Sequence, residues 1–223
     1  MSADPTVILR ETSLLRSAPD EDLKAVAAAS RLRTFRRGQV VFTRSDPGDT
    51  VILVVSGRVK VSVRSADGGE LTLAIVHPGG VLGELGVVDG GPRSADAETL
   101  EECQLLLVPR DAIRDVCARV PSAAQALTNS IAATLRRLTE ATADLVFLDL
   151  PRRVAKILLS QPRGDDGVIR FRMSQEELAH QAGSTRQSVN AALRGFERRD
   201  WIEMHDRAVT VKQPDALGRF AGT

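Results

Sequence analysis

The spacing of apolar and polar residues changes along the chain. Residues 20–29 combine an acidic start with apolar positions at helical spacing, which predicts a short capped helix. From Arg36 to Pro109, short runs rich in β-branched residues are separated by glycines, and Val59, Val61 and Val63 alternate with polar residues as in a half-buried strand. This region is predicted to form an antiparallel roll or sandwich of about a hundred residues.

A long segment without glycine or proline follows the β-rich region. It runs from Ser122 to Leu148 and is predicted to form one helix of about seven turns. A heptad alignment places its apolar residues on a narrow seam suited to the same helix of a second copy. Thr134 and Ala141 weaken this seam, so packing of the helix on its own domain alone stays open as an alternative. The residues expected at a dimer interface are Leu127, Ile131, Leu138 and Leu145.

The residues after Leu150-Pro151 alternate between short helices and turns, as is typical of a small helix-rich domain. The chain is therefore predicted to have an α+β fold. Its parts are an N-terminal antiparallel β-roll of jelly-roll type at residues 1–121, a long dimerisation helix at 122–148 and a C-terminal domain at 149–223.

The C-terminal domain contains two helix-start signals on either side of a glycine. Ser174 and Glu177 have the spacing of a capping box, and Gly183 supplies the turn. Ser184 is predicted to cap the second helix, with Gln187 completing the reciprocal bond. Two capped helices joined by a glycine turn predict a helix-turn-helix. A hairpin after them, with residue 207 at its tip, makes the module a winged one.

The second of these helices exposes side chains that suit DNA. Arg186, Gln187 and Asn190 lie at its outward N-terminal end and match the donors and acceptors of guanine and adenine edges. Solvated helix residues are the alternative interpretation, and Gln187 serves equally well as part of a cap. The residues expected at the DNA backbone are Gln175, Thr185, Ser188, Arg194 and Arg207.

A glycine-led turn inside the roll, at residues 82–95, is a candidate anion site. Glycine lets a ligand approach backbone N–H groups at a helix start, and Arg93 can hold phosphate oxygens with two parallel bonds. Ser94 can donate one more bond, and Glu84 suits a sugar hydroxyl a few ångströms from the phosphate. A phosphorylated ribose satisfies both demands, whereas a surface loop with a weak ion pair is the alternative.

Composition adds only a weak indication of the partner. The formal net charge is +1, and residues 149–223 carry 13 basic and 10 acidic side chains, a mild bias towards a polyanion. Cys103 and Cys117 lack metal-ligand spacing and are expected to be free thiols. No apolar run is long enough for a membrane and no secretory signal is visible, so a cytoplasmic location is expected.

The turn also resembles a known motif. Gly83-Glu84-Leu85, followed after six residues by Pro92-Arg93-Ser94-Ala95, is similar to the phosphate-binding cassette of the cyclic-AMP receptor protein (CRP/FNR) family. The resemblance implies that Gly83 and Ser94 contact a cyclic phosphate, that Arg93 neutralises it and that Glu84 binds the ribose 2′-hydroxyl. It also places base-recognising positions at Leu138 and Thr139, where Thr139 can bond an adenine amino group and Leu138 replaces an expected threonine.

The resemblance extends to the DNA-binding module and to the partners. Residues 183–189 are similar to the family's recognition helix, but Gln187 and Ala191 stand where the family has a glutamate and an arginine, which implies a changed operator. The implied partners are a palindromic DNA operator, a second copy of the chain and RNA polymerase, with cyclic AMP as the effector and cyclic GMP as a possibility.

Other classes of protein are less consistent with the sequence. Nucleotide-hydrolase and metalloprotease motifs are missing, so neither an enzyme nor a resident metal is expected. A regulator of the same fold that needs no ligand, or that senses haem or redox state through a residue such as His77, stays open as an alternative. A cyclic-nucleotide-binding module that acts only on proteins is a further one.

Overall fold

The structure is a computed structural model, and it describes residues 4–161, 163–164, 168–171, 174–205 and 208–222. The chain divides into two compact units. The first comprises the residues up to 63 together with 73–137, and the second comprises 64–72 together with the residues from 138 onward. Each unit has a hydrophobic core of its own. The domain boundaries expected at residues 122 and 149 stay predictions.

The first unit starts with two helices and continues as a β-roll, except that residues 64–72 of the roll are grouped with the second unit. The helices are α1 (Pro5–Glu11) and α2 (Asp20–Ala29). Helix α2 confirms the short helix predicted from the sequence, but the expected cap is wrong, because Pro19 occupies the N-cap position and makes no side-chain cap hydrogen bond. The strands that follow are β1 (Arg31–Phe35), β2 (Val40–Phe42), β3 (Thr50–Ser56), β4 (Val59–Arg64), β5 (Glu70–Val76), β6 (Val81–Leu82), β7 (Asp96–Thr99) and β8 (Cys103–Pro109). A short helix, α3 (Leu85–Asp89), lies between β6 and β7, and α4 (Arg110–Arg119) follows β8.

The strands form two four-stranded sheets. Their orders are β1-β8-β3-β6 and β2-β7-β4-β5, and the strand pairs within the first sheet are antiparallel. Strand β3 is buried on both faces: Val51 and Leu53 pack with the helices, while Ile52 and Val54 pack inside the roll. A central strand covered on both sides needs the continuous apolar run that β3 has.

Strand β4 differs from the half-buried pattern expected of it. Lys60 is 8% exposed and Ser62 is 1% exposed, so the polar positions are as buried as the valines between which they lie. Strand β4 has neighbours on both sides in its sheet, and Lys60 lies 3.7 Å from Glu98 on β7. A buried lysine next to a carboxylate keeps its charge compensated, which an alternation of residue types cannot predict.

The long helix α5 (Pro121–Phe147) confirms the prediction from the glycine-free segment, with bounds shifted by one residue. Its first turns contribute Ala123 and Leu127 to the core of the first unit. The division between the units falls within this helix, after residue 137.

Besides residues 64–72 and the part of α5 from residue 138 onward, the second unit contains four helices and three short strands among the described residues. These are α6 (Leu150–Leu159), β9 (Ile169–Phe171), α7 (Gln175–Ala182), α8 (Arg186–Glu197), β10 (Ile202–His205), β11 (Ala208–Val211) and α9 (Pro214–Ala221). Asp149 caps α6 by accepting a bond from the Arg152 amide, and Pro151 occupies the first turn. The strands pair in the order β10-β11-β9, which confirms the predicted wing hairpin.

The C-terminal helix α9 is a part of the core that was not predicted from the sequence. Leu217 is fully buried, and the Phe220 ring packs 5.6 Å from Phe196 and 5.5 Å from Trp201. Gly218 lowers the intrinsic helix propensity of this short segment, so tertiary packing holds it helical.

Leu217→Ala is expected to lower the stability of the second unit by about 2–5 kcal/mol, because it leaves a cavity in a closed core. Trp201 is the chain's single tryptophan, so its fluorescence in urea reports unfolding of this unit. Arg219→Ala, on the exposed side of the same helix, is the control and should leave the urea midpoint unchanged. Equal midpoints for the two variants would show that α9 is not part of the cooperative core.

Candidate nucleotide site and DNA-reading helix

The turn after β6 depends on a glycine for two reasons. Gly83 has φ +82°, a conformation that side chains rarely adopt. A Cβ on Gly83 would also collide with Nη1 of Arg93 and lie 3.0 Å from the Thr50 carbonyl oxygen. Only glycine therefore allows the arginine to reach this turn.

Arg93 is a buried cation with unused hydrogen-bonding capacity. The residue is 7% exposed, and its Nη2 donates to the Thr50 carbonyl oxygen over 2.6 Å. Its Nε and Nη1 are buried and have no hydrogen-bond partner within the described part of the chain. Burial lowers the pKa of Arg93, and the negative charges of Asp49, Asp46 and Glu84 act in the opposite direction. An anionic acceptor would satisfy the two remaining nitrogen atoms.

The other cassette residues lie at the start of α3 and directly after this arginine in the chain. Glu84 is half-buried at the start of α3 with its side chain not used as a cap, and Leu85 is exposed. Ser94 follows Arg93 and is exposed. The structure thus brings Gly83, Glu84 and Arg93 together, and their roles towards a ligand stay predictions. Because α3 has only five residues, its backbone N–H groups rather than a helix dipole are what the turn offers a phosphate.

The loop before β3 belongs to the same site, although no residue of it was predicted from the sequence to do so. A Cβ on Gly48 would collide with the Gly91 carbonyl oxygen, and one on Gly86 would lie 2.6 Å from the Gly48 carbonyl oxygen. The segment Ser45 to Asp49 reads as an ordinary turn, and no local pattern connects it to the cassette. Only the folded chain shows that these two turns touch.

The positions expected to recognise the base lie on α5. Leu138 is 36% exposed and Thr139 is also exposed. Both belong to the second unit, whereas the cassette belongs to the first. Their role towards a base stays a prediction.

The residues of the expected dimer seam divide into two groups. Leu127 is 6% exposed and packs in the core of its own unit, with Ile131 partly buried against the same core. The heptad pattern cannot distinguish a partner helix from the helix's own domain, and Leu127 already packs in its own unit, so its role at a dimer interface stays a prediction. Leu138 and Leu145 are exposed, as are Leu135, Val146 and Phe147.

The first helix of the helix-turn-helix has the predicted capping box. The Glu177 amide donates to Ser174 Oγ over 3.1 Å, and the Ser174 amide donates to the Glu177 carboxylate over 2.7 Å. Gly183 follows with φ +59° and ends α7. The turn between the two helices therefore needs a glycine, as expected.

The second helix begins one residue later than predicted. Thr185, not Ser184, is its N-cap, because the Ser188 amide donates to Thr185 Oγ1 over 3.2 Å. The Ser184 amide is instead bonded to the Ala179 carbonyl oxygen at the end of α7. The predicted cap at Ser184 and its bond from Gln187 are wrong. Gln187 has no part in the cap, and its side chain is exposed.

The two faces of α8 are as predicted. Val189, Leu193 and Phe196 are buried in the core of the second unit. The outward face presents the candidate DNA contacts: Thr185, Arg186, Gln187 and Arg194 are exposed, while Ser188 and Asn190 are half-buried. Gln175 is half-buried at the start of α7. Arg207, at the predicted tip of the wing, lies outside the described residues.

Features that would support a redox or haem sensor are few. Burial raises the pKa of the Cys103 and Cys117 thiols, which keeps both protonated and unreactive near neutral pH. His77 is exposed in the turn after β5. Among the residues that the structure describes, no group of three or more His, Cys, Asp or Glu side chains could hold a metal ion. Within the same ranges, no helix combines the length and apolar character needed to cross a bilayer.

Two family models match the chain. The model of the cyclic nucleotide-binding domain matches residues 32–120, and that of the Crp-like helix-turn-helix domain matches residues 152–220. The first contains the cassette and the second contains α7, α8 and the wing.

Known proteins similar to this chain are transcription regulators rather than enzymes. A CRP-like cAMP-activated global transcriptional regulator of Mycobacterium tuberculosis is 35% identical over 220 residues, which cover 96% of this chain and 98% of that protein. A cyclic AMP receptor protein of Thermus thermophilus is 32% identical and covers 92% of this chain and 94% of its own length. The crystal structure of a CRP-family transcriptional regulator from Thermus thermophilus superimposes with a TM-score of 0.72 at 27% identity, covering 86% of this chain and 97% of that one.

The geometry around Arg93, the capped helix pair and these similarities agree with one another. The chain belongs to the CRP/FNR family and is a cyclic-nucleotide-binding, DNA-binding transcription regulator.

Proposed function

We propose that the chain is a homodimeric regulator whose binding to a palindromic operator is controlled by 3′,5′-cyclic AMP. The observation that carries this proposal is the buried guanidinium of Arg93, whose Nε and Nη1 have no hydrogen-bond partner in the described chain. A cyclic phosphodiester brings a single negative charge and two free oxygens to a site of this kind.

Each cassette residue then has a separate task. Arg93 neutralises the phosphate, and Ser94 and the backbone at Gly83 add hydrogen bonds to its oxygens. Glu84 carries a negative charge, so it accepts a bond from the ribose 2′-hydroxyl rather than touching the phosphate. This division requires a phosphate and a hydroxyl a few ångströms apart, as in a cyclic ribonucleotide.

The choice of cyclic AMP over cyclic GMP depends on α5. Thr139 is exposed there and has a hydroxyl that can accept a bond from an adenine amino group. Leu138 adds no polar contact. Two relatives named for cyclic AMP, from Mycobacterium tuberculosis and Thermus thermophilus, support the same choice.

The exposed apolar residues of α5 support a second copy of the chain as partner. Leu138 is 36% exposed, Leu145 is 40% exposed and Leu135 is 64% exposed. A two-fold dimer through this helix would place two reading helices in successive major grooves, about 34–36 Å apart. Cyclic AMP would favour the arrangement with that spacing, because it binds one arrangement more tightly than the other. RNA polymerase is the further partner that a transcription regulator of this kind would contact.

The proposal predicts that cyclic AMP binds and strengthens operator binding by about 5–150-fold, the usual range of coupling between two sites. Calorimetric titration with cyclic AMP, cyclic GMP and linear 5′-AMP measures the ligand preference. The operator is first obtained by selection from random duplexes. Fluorescence anisotropy of the labelled operator then measures how much cyclic AMP strengthens DNA binding. Equal operator affinity with and without saturating nucleotide would contradict the proposal and indicate a regulator that needs no ligand. A bound haem in the purified protein would support the alternative of a haem sensor.

A further inference from the structure

Arg93 lies against an aromatic ring from another part of the roll. Its Cζ is 4.3 Å from the centre of the Phe42 ring, at the end of β2. Phe42 is itself half-buried and packs against the core inside the roll. A guanidinium over a ring face is attracted by the negative charge of the π-system, and more strongly so where water is excluded.

The backbone holds these two residues in register. The Arg93 amide donates to the Asp46 carbonyl oxygen over 2.8 Å, and the Ser45 amide donates to the Arg93 carbonyl oxygen over 2.9 Å. The loop after Phe42 is therefore bonded to residue 93 in both directions. A hydrogen bond within the loop also stabilises its conformation: the Thr43 amide donates to the Asp46 carboxylate over 2.7 Å.

The backbone conformation of Ser45 indicates that contacts with Arg93 determine the conformation of this loop. Its φ is +74°, a left-handed conformation that is unfavourable for serine. A residue in such a conformation persists only where the surrounding contacts determine it. The two backbone bonds to Arg93 are such contacts.

The ring and the Thr50 carbonyl oxygen together fix the guanidinium. The carbonyl oxygen accepts from Nη2, while Cζ of the guanidinium lies over the Phe42 ring. Nη1 then lies beside Gly83, at the turn where the phosphate is expected. An arginine side chain that is already fixed loses less conformational freedom when it binds a ligand.

We propose that Phe42 is a positioning residue for the cyclic phosphate: its ring holds the Arg93 guanidinium in the orientation that receives the ligand. The proposal rests on the proposed function, since it takes a cyclic phosphodiester as the ligand. Phe42 does not touch that ligand and acts through Arg93.

The test compares two substitutions of Phe42. Phe42→Leu keeps an apolar side chain and removes the ring, and it is expected to raise the Kd for cyclic AMP about tenfold. Phe42→Tyr keeps the ring and is expected to bind within about twofold of the wild type. Calorimetric titration gives the Kd values, and NMR of the Arg93 Nε–H group gives a second readout, because the ring current displaces its resonance. Phe42→Leu should abolish that displacement and Phe42→Tyr should retain it.

Phe35→Leu is the matched control for lost stability. Phe35 is a buried residue of the same unit, and its ring lies 5.5 Å from the guanidinium of the exposed Arg33. Phe35→Leu should lower the Tm at least as much as Phe42→Leu does and should leave the Kd for cyclic AMP unchanged.

Three outcomes would contradict the inference. If Phe42→Leu binds cyclic AMP with wild-type affinity, Arg93 does not need the ring. If Phe42→Leu and Phe42→Tyr lose affinity equally, the effect depends on how the side chain packs and not on the aromatic ring. A parallel loss in Phe35→Leu would attribute the effect to stability. If the wild type binds no cyclic nucleotide, the proposed function fails and this inference fails with it.

Discussion

Arg93→Met is expected to weaken cyclic-nucleotide binding by about 30- to 5,000-fold and at the same time to stabilise the ligand-free protein. Binding falls because the substitution removes the charge and the two donors that the phosphate would use, a loss of about 2–5 kcal/mol for a buried charged partner. Stability rises because methionine fills similar space without a buried charge or unsatisfied nitrogen atoms. Calorimetric titration measures the first effect and the Tm without ligand measures the second.

Arg44→Met is the control for this prediction. Arg44 precedes the Ser45–Asp49 turn and its side chain is exposed, so its substitution changes the net charge equally without removing a side chain that the phosphate is proposed to contact. A comparable loss of affinity in this variant would attribute the effect to the overall field rather than to a direct contact. A methionine variant of residue 93 that still binds tightly would contradict the assignment of the phosphate site.

Arg186→Met is expected to lower discrimination between the operator and a scrambled duplex by about 1–3 kcal/mol, which corresponds to roughly 5–150-fold. Arg186 is the first residue of α8 and is exposed, where an arginine can read guanine in the major groove. Affinity for the scrambled duplex should fall much less. Anisotropy titrations of both duplexes at several salt concentrations measure the two affinities.

Arg194→Met provides the contrast on the same helix. Arg194 is exposed two turns later and is expected to contact a phosphate. Its loss should weaken binding to both duplexes alike and reduce the slope of log K against log salt by about one. If Arg186→Met gives this uniform pattern instead, Arg186 contacts the backbone and does not read a base.

Local signals in the sequence predicted those features that local chemistry determines. The glycine-free segment at 122–148 became α5, and the spacing of Ser174 and Glu177 became a capping box. The cassette was identified from its resemblance to a family motif, and its members lie in the turn after β6, at the start of α3 and in the segment just before β7.

Other features could not be decided from the sequence, because several local arrangements of the chain were equally suitable. Ser184 and Thr185 are both suitable caps, and the choice depends on the bond from the Ser184 amide to Ala179. Leu127 suits a partner helix as well as it suits its own core. The ring under Arg93 and the helix α9 depend on contacts between distant segments, which carry no signal in a single sequence.

The close contact between Gly48 and Gly91 limits how ligand preference in such proteins can be exchanged. The two turns leave no room for a Cβ between them. The conformations of the cassette and of the loop before β3 therefore depend on each other, although the two segments are separate in the chain. A chimera that transplants residues 82–95 alone into a different roll would place the new turn against a loop that was not formed to receive it. Grafting experiments within this fold should therefore transfer residues 42–50 together with the cassette.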